Sequence, residues 1–499
     1  MKATDDLFLL IKSLTKNEKG YFKKYTSKHV VGDENKYILL FDRIDHSKKF
    51  DEKLLKKEIP HLPSDKNYLY KLIIRCLNEF HHGNSIDHEL REILNAVEIL
   101  FAKALYAQCE KLLNKAEQIA EQNEKFLFQL EIIDWKIQCK ITQAKIEGLH
   151  VRLQKDKNQR EAIIAKYNNL NDYRLIEYSL FYHTKTYGYP RTKPEAARYK
   201  KIMQDDLLKN SNKALGFWAK FHYFNAFNFY YDVIRDKKKL YTIRKQIIEF
   251  SESNPEMIKN KQIRYLIALN NLLNIQDELG KETEVEETLQ KLRSIKSKSV
   301  DIQMRVFVYT YTIEFTKLII KGNFDQCVAL RPQVNEGLKK FETKINREYL
   351  LALRYNLFYA YFGNGNYNEA LKWINQILND RYIELRKDVY AFVRIMQLII
   401  HYELGNTDLL SYAILSAKRF FKKEERLFKF ESVMLEFIER TAVITAREKR
   451  NESFLNLKET LIELKKNSHE AQVLEFFDFG AWIDSKVTGK TLKQIIQQK

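Results

Sequence analysis

Three clusters in the sequence bring together residue types that can do chemistry. The first is Tyr182-His183-Thr184-Lys185-Thr186-Tyr187-Gly188-Tyr189-Pro190-Arg191-Thr192-Lys193-Pro194, with Arg198, Lys200 and Lys201 just beyond it. Aromatic faces stack on bases, and lysine and arginine neutralise phosphates. Lys185, Tyr187, Tyr189, Arg191, Lys193, Arg198, Lys200 and Lys201 are therefore the candidates for gripping a single strand or an anionic peptide. The competing reading is a rigid loop between helices whose tyrosines pack on their neighbours. The second cluster is His81, His82 and His88. Adjacent histidines project differently, and no acidic or cysteine partner stands at ligand spacing, so a metal site is not expected. The third is Gly489-Lys490-Thr491, which has the ending of a phosphate-binding loop. That loop needs a glycine where Asp484 stands and a strand before it, so nucleotide binding is not expected there. No serine or cysteine sits on a nucleophile turn. Paired acids such as Asp205-Asp206 and Glu286-Glu287 read as solvated helix charge. The chain is expected to be no enzyme and to use no cofactor.

The elements that hold these residues must be helices. Glycine (14) and proline (6) are scarce in 499 residues, at about a third of ordinary usage. Sheets and barrels need turn residues far more often. Apolar residues make up 45% and aromatics 13%, which argues against disorder. The balance of 85 Lys+Arg against 66 Asp+Glu gives a net charge of +19. Such an excess attracts nucleic acid or an anionic surface, and it equally suits a lysine-rich solvated surface. Cys76, Cys109, Cys139 and Cys327 are far apart and read as small core residues in a reducing compartment. No signal peptide or membrane span is expected, and the cytoplasm is the default location.

Six of the 14 glycines punctuate the chain at a regular step. The clearest unit is Asn356-Leu357-Phe358-Tyr359-Ala360-Tyr361-Phe362-Gly363-Asn364-Gly365-Asn366-Tyr367-Asn368-Glu369-Ala370-Leu371. Apolar residues recur at helical spacing on both sides of a Gly-Asn turn. Gly365 suits the left-handed residue that closes the first helix, and Asn366 or Asn368 suits the cap of the next. Gly322-Asn323-Phe324-Asp325-Gln326-Cys327 repeats the pattern closely, and Ala104-Leu105-Tyr106-Ala107-Gln108-Cys109 repeats it with alanine at the turn. Gly280 and Gly405 mark looser copies, and Gly148, Gly188 and Asp236 weaker ones. Ala104, Gly148, Gly188, Asp236, Gly280, Gly322, Gly365 and Gly405 follow one another at intervals of 40–48 residues.

The motif around Gly365 resembles a tetratricopeptide repeat in the Ala-Tyr/Phe before the turn, the Gly-x-Tyr at it, and Ala370 three residues after Tyr367. The step is longer than that family's roughly 34 residues, and Arg354 stands where the family has tryptophan. The resemblance implies an all-α fold, an α-solenoid of stacked antiparallel helix hairpins of about 40–48 residues each. It also implies a groove in which a first-helix asparagine bonds a ligand backbone. Asn356, Asn271 and Asn95 hold the matching place, nine residues before their turns. The lysine of carboxylate clamps is absent: Ala102, Glu278, Ile320, Gly363 and Glu403 occupy that place. Tyr355, Tyr359 and Phe362 would supply an aromatic floor for an apolar segment. The competing reading makes them core between repeats.

Three regions are expected: a helical head at 1–85, the repeats at 86–470, and a capping helix and tail at 471–499. Thr15-Lys16-Asn17-Glu18 reads as a capping box. Pro60 and Pro63 stop a short helix, and Ser64 stands ready to cap the next. Lys53, Lys56, Lys57, Lys66, Lys71 and Arg75 give the head basic helices, although the linking turn is long for a DNA-reading helix-turn-helix. Phe476, Phe477, Phe479 and Trp482 suit a tail that covers the end of the stack. The functional expectation is an interaction scaffold or regulator that takes a peptide or protein segment in its groove. The alternative is nucleic-acid binding or transcription regulation through the head or residues 182–201. If the groove residues face a partner, changing Tyr359 and Asn356 to alanine weakens capture and leaves stability intact.

Overall fold

The computed structural model describes residues 6–27, 36–47, 52–59, 61–81, 85–143, 149–187, 190, 193–259, 261–341, 344–380, 387–423, 427–466, 470 and 473–499. The described residues are helical, with no strand among them. None of their helices is long and apolar enough to cross a membrane. The chain divides into two compact units, residues 1–186 with 197–226 and residues 187–196 with 227–499. The expected head is therefore part of a larger first unit.

Among its described residues that head has five helices, Asp6–Ser13, Lys16–Ser27, Lys36–His46, Glu52–Glu58 and Leu62–Phe80, around a core that includes Phe22, Phe41, Leu69 and Ile73. The capping box forms. Thr15 N–H donates to Glu18 Oε2 at 2.6 Å, and Glu18 N–H donates to Thr15 Oγ1 at 3.3 Å. Ser64 does not cap the fifth helix. The helix starts earlier, at Leu62, with Pro63 in its first turn, where a missing N–H costs nothing. Ser64 instead donates to His61 O at 2.9 Å. Lys56 and Lys66 lie 3.5 and 4.0 Å from Glu52, Lys71 and Arg75 are exposed, and the Lys53 and Lys57 side chains lie outside the described residues.

The expected turns are real where they can be seen. Ala104, Gly280, Gly322, Gly365 and Gly405 all have positive φ, between 57° and 74°. Near Asp236 the left-handed residue is Arg235, φ 58°, while Asp236 caps the next helix by accepting from Lys239 N–H at 3.1 Å. Asn366, rather than Asn368, caps the helix after Gly365, accepting from Glu369 N–H at 3.2 Å. Gly148 and Gly188 lie outside the described residues. Between them the ladder gives way to one helix of 39 residues, Leu149–Tyr187. That stretch has neither glycine nor proline to break it. A further turn, at Glu124 (φ 50°), carries no glycine and escaped the pattern. The Glu124 carboxylate explains its presence there: it accepts from Phe217 N–H at 2.6 Å and Trp218 N–H at 3.1 Å.

In the second unit, helices joined by these turns pack on each other in sequence: Gln262–Glu278 with Glu282–Ser294, Arg347–Gly363 with Tyr367–Leu378, Lys387–Glu403 with Thr407–Lys423. Packing between successive pairs is close. A Cβ on Gly363 would lie 2.4 Å from the ring of Phe324, so only glycine fits there. Where the tetratricopeptide pattern has tryptophan, Arg354 instead pairs with Asp380 at 3.2 Å, both largely buried. The four cysteines are free and buried. Burial pushes the Cys327 thiol up to about 12 and those of Cys76 and Cys139 up to about 11, so none is a ready nucleophile.

Candidate functional site

Tyr355, Asn356, Tyr359 and Phe362 lie on the Arg347–Gly363 helix at spacings that turn them toward the C-terminal segment. Residues 476–499 of that segment run back against the helices of this unit, as far as the turn at Gly322.

Each step of that path is anchored. The Phe477 ring lies 4.9 Å from Tyr359 and 5.3 Å from Phe362, centroid to centroid. Phe476 sits 5.3 Å from Phe392, and Phe479 sits 5.3 Å from Phe430. The Tyr355 hydroxyl donates to Phe476 O, and Asp478 N–H donates to the Tyr359 hydroxyl at 3.1 Å. Burial pushes both tyrosine hydroxyls above their ordinary value, so both stay neutral. Asp478 then caps the helix Phe479–Thr488, accepting from Ala481 N–H at 2.8 Å. Trp482, 1% exposed, donates its indole N–H to Glu403 at 2.7 Å, and Lys486 pairs with the same carboxylate. Gly489 (φ 75°) closes this helix, and Thr491 with Gln494 forms the capping box of the last one, Leu492–Ile496. The apparent phosphate-loop ending Gly489-Lys490-Thr491 is this corner between two helices. Lys493 reaches Asp325, and Gln497 donates to Asn323 Oδ1 at 3.2 Å.

The tail thus does more than cover an end. It fills the aromatic floor from within, and Tyr359 and Phe362 are left 7% and 1% exposed. These two residues are core, as the competing reading held. Asn356 is half-buried and donates to Thr312 O on the adjacent helix at 3.4 Å. Asn271 is half-buried, and Asn95, which belongs to the other unit, is exposed.

An open cleft of about 620 Å³ remains beside the tail. Thr316, Ile319 and Ile320 form one wall, Leu461 and Ile462 another, and the edges of Tyr355, Asn356 and Tyr359 contribute to its floor. Ile320 and Ile462 are 64% and 57% exposed. Lys458, Lys465 and Lys499 also line it. Lys458 pairs with Asp484 at 2.6 Å and Lys499 with Asp478 at 2.6 Å. Sequence reasoning missed Ile462 and the lysines, because only the returning tail brings the 300–320 and 447–465 helices to one cleft. Ile320 was visible, as an apolar residue at the place where carboxylate clamps carry lysine.

The basic segment is placed differently from the loop expected. Its start, through Tyr187, is the end of the long helix, and Lys193–Ile202 is a second helix. Arg198, Lys200 and Lys201 are exposed. Tyr189 and Arg191 lie outside the described residues, as do the side chains of Lys185, Tyr187 and Lys193. His81 bonds Glu18 at 2.8 Å, and His88 N–H donates to Ser85 Oγ at 3.2 Å as part of a helix cap. His82 lies outside the described residues, among which no group of three His, Cys, Asp or Glu is placed to hold a metal ion. No family model, curated protein or solved structure matches the chain.

Proposed function

We propose that the chain is a non-enzymatic interaction scaffold or regulator that binds a protein or peptide segment in the cleft beside its own C-terminal tail. On this reading the helix pairs form a tetratricopeptide-like α-solenoid of stacked hairpins. The left-handed residues at the expected turns support it. The four buried, free cysteines suit a cytoplasmic setting.

The observation that carries the reading is the cleft itself. Two exposed isoleucines, Ile320 and Ile462, flank an apolar floor with lysines nearby. Apolar anchors in a pocket with a charged border are the usual source of binding energy at such surfaces. The neighbouring tail also shows how this region handles an extended segment. Aromatic side chains seat against Tyr359 and Phe362, while tyrosine hydroxyls bond the backbone of residues 476 and 478.

The test is capture from nuclease-treated host lysate by wild type and by the double variant Ile320→Asp, Ile462→Asp. Both positions are exposed, so the variant should melt within about a degree or two of wild type. The expected result is capture of a protein by wild type and its loss in the variant. Equal capture by both proteins contradicts the reading. Capture that disappears on nuclease treatment contradicts it in favour of nucleic acid, for which binding should also fall steeply with salt.

A further inference from the structure

The Thr407–Lys423 helix presents two unlike faces. Leu410, Ile414, Ala417 and Phe421, at intervals of three or four residues, are buried and hold it to the rest of the unit. Leu409, Tyr412 and Leu415 lie on the opposite face, and they are 57%, 75% and 52% exposed. Residues three apart on a helix are neighbours, so these three form one apolar ridge. Exposed apolar side chains are ordinary when scattered, whereas a continuous group of them marks a place of contact.

The same line runs on into cations. Arg419, Lys422 and Lys423 continue it at helical spacing, and all three are exposed. Lys418 pairs with Glu439 at 2.8 Å. Residues 418–429 hold six basic side chains against two acids, Glu424 and Glu425. The helix's own acid, Asp408, stands at its other end. Beyond the cations, Leu427 and Phe428 are each 50% exposed and precede the Lys429–Thr441 helix.

This order of apolar, basic and apolar groups says what fits. The cations select an anionic partner, and the net charge of +19 draws it in from a distance. The ridge projects, and none of its three residues lines the cleft beside the tail. Projecting side chains need either a groove cut to match them or a medium that yields. A bilayer yields: leucine enters the acyl boundary, tyrosine sits at headgroup level, and lysine and arginine stay on the anionic headgroups. Such contact is peripheral and needs no membrane-crossing helix.

We infer that the outer face of this helix docks on an anionic lipid surface, with Leu409, Tyr412 and Leu415 inserted and Arg419, Lys422 and Lys423 on the headgroups. The surface is separate from the cleft beside the tail and does not depend on a partner binding there. Co-sedimentation of the full chain tests it, with vesicles of phosphatidylcholine alone and with about 30 mol% phosphatidylserine added. The expected result is binding to the anionic vesicles and little to the neutral ones. Affinity should fall about tenfold or more in Leu409→Gln, Tyr412→Gln, Leu415→Gln and in Arg419→Glu, Lys422→Glu, Lys423→Glu. All six positions are exposed, and glutamine is a good helix former, so the glutamine variant should melt within about a degree or two of wild type. If it fails to fold, Tyr412→Gln alone decides, with a loss of about threefold or more. The inference is overturned if the anionic vesicles bring down no protein, or if neutral vesicles bind as well as anionic ones. It is equally overturned if the glutamine variant binds like wild type, because the net charge alone would then account for the binding.

Discussion

Replacing Trp482 with alanine should lower the stability of the second unit by about 3–5 kcal/mol, the usual cost of emptying a large aromatic site. Trp482 is 1% exposed. Its ring lies 5.4 Å from Phe454 and 6.3 Å from Phe437, so truncation opens a cavity among groups that cannot easily collapse. The indole N–H also helps to satisfy Glu403, whose side chain is 5% exposed. Trp482→Phe separates the two contributions. It keeps most of the ring packing and removes the donor, and should cost about 1–3 kcal/mol. Urea denaturation followed by helical circular dichroism checks the order wild type, Trp482→Phe, Trp482→Ala. A loss below about 1 kcal/mol for the alanine variant would show that the tail is not part of the core.

Tyr359→Ala should be comparably damaging, at about 3–5 kcal/mol. Its ring stands between Phe477, at 4.9 Å, and Phe324, at 6.2 Å. It thus joins the tail to the preceding helix pair. Tyr359→Phe should cost about 1–3 kcal/mol, because Asp478 N–H loses its acceptor. This reverses the expectation drawn from the sequence, that changing Tyr359 with Asn356 would spare stability. The measurement is again the unfolding midpoint, read beside capture with the Ile320 and Ile462 variants. Loss of stability at Tyr359 alone, with loss of capture at Ile320 and Ile462 alone, separates core from binding surface.

What local pattern can reveal, the sequence revealed. Left-handed backbone at a helix end is a demand on one or two residues, so Gly280, Gly322, Gly365 and Gly405 announced their turns. Ala104 did so through its neighbours' resemblance to the glycine rungs. Glu124 did not, because its role rests on Phe217 and Trp218, more than ninety residues away. The continuous helix Leu149–Tyr187 was also hidden, since the interval between glycines says nothing of what lies between them. The candidate site was visible only in part. Tyr355 and Tyr359 were found by helical spacing, but what covers them comes from a segment 121 and 119 residues further on. Aromatic residues at helical spacing look the same whether they face a partner or the chain's own tail.

The central claim is that residues 476–496 are packed permanently into the core of the second unit, leaving the cleft beside them open. Native-state hydrogen exchange tests it most directly. The amides of Asp478, Ala481 and Trp482 are bonded to Tyr359, to Asp478 Oδ1 and to Asp478 O. They should exchange with the same opening free energy as the core amides of the Arg347–Gly363 helix, because tail and helix then open together. Exchange at these amides that is orders of magnitude faster than in that helix would contradict the claim. It would show a tail that leaves the aromatic floor by itself and a groove that stands open to a partner.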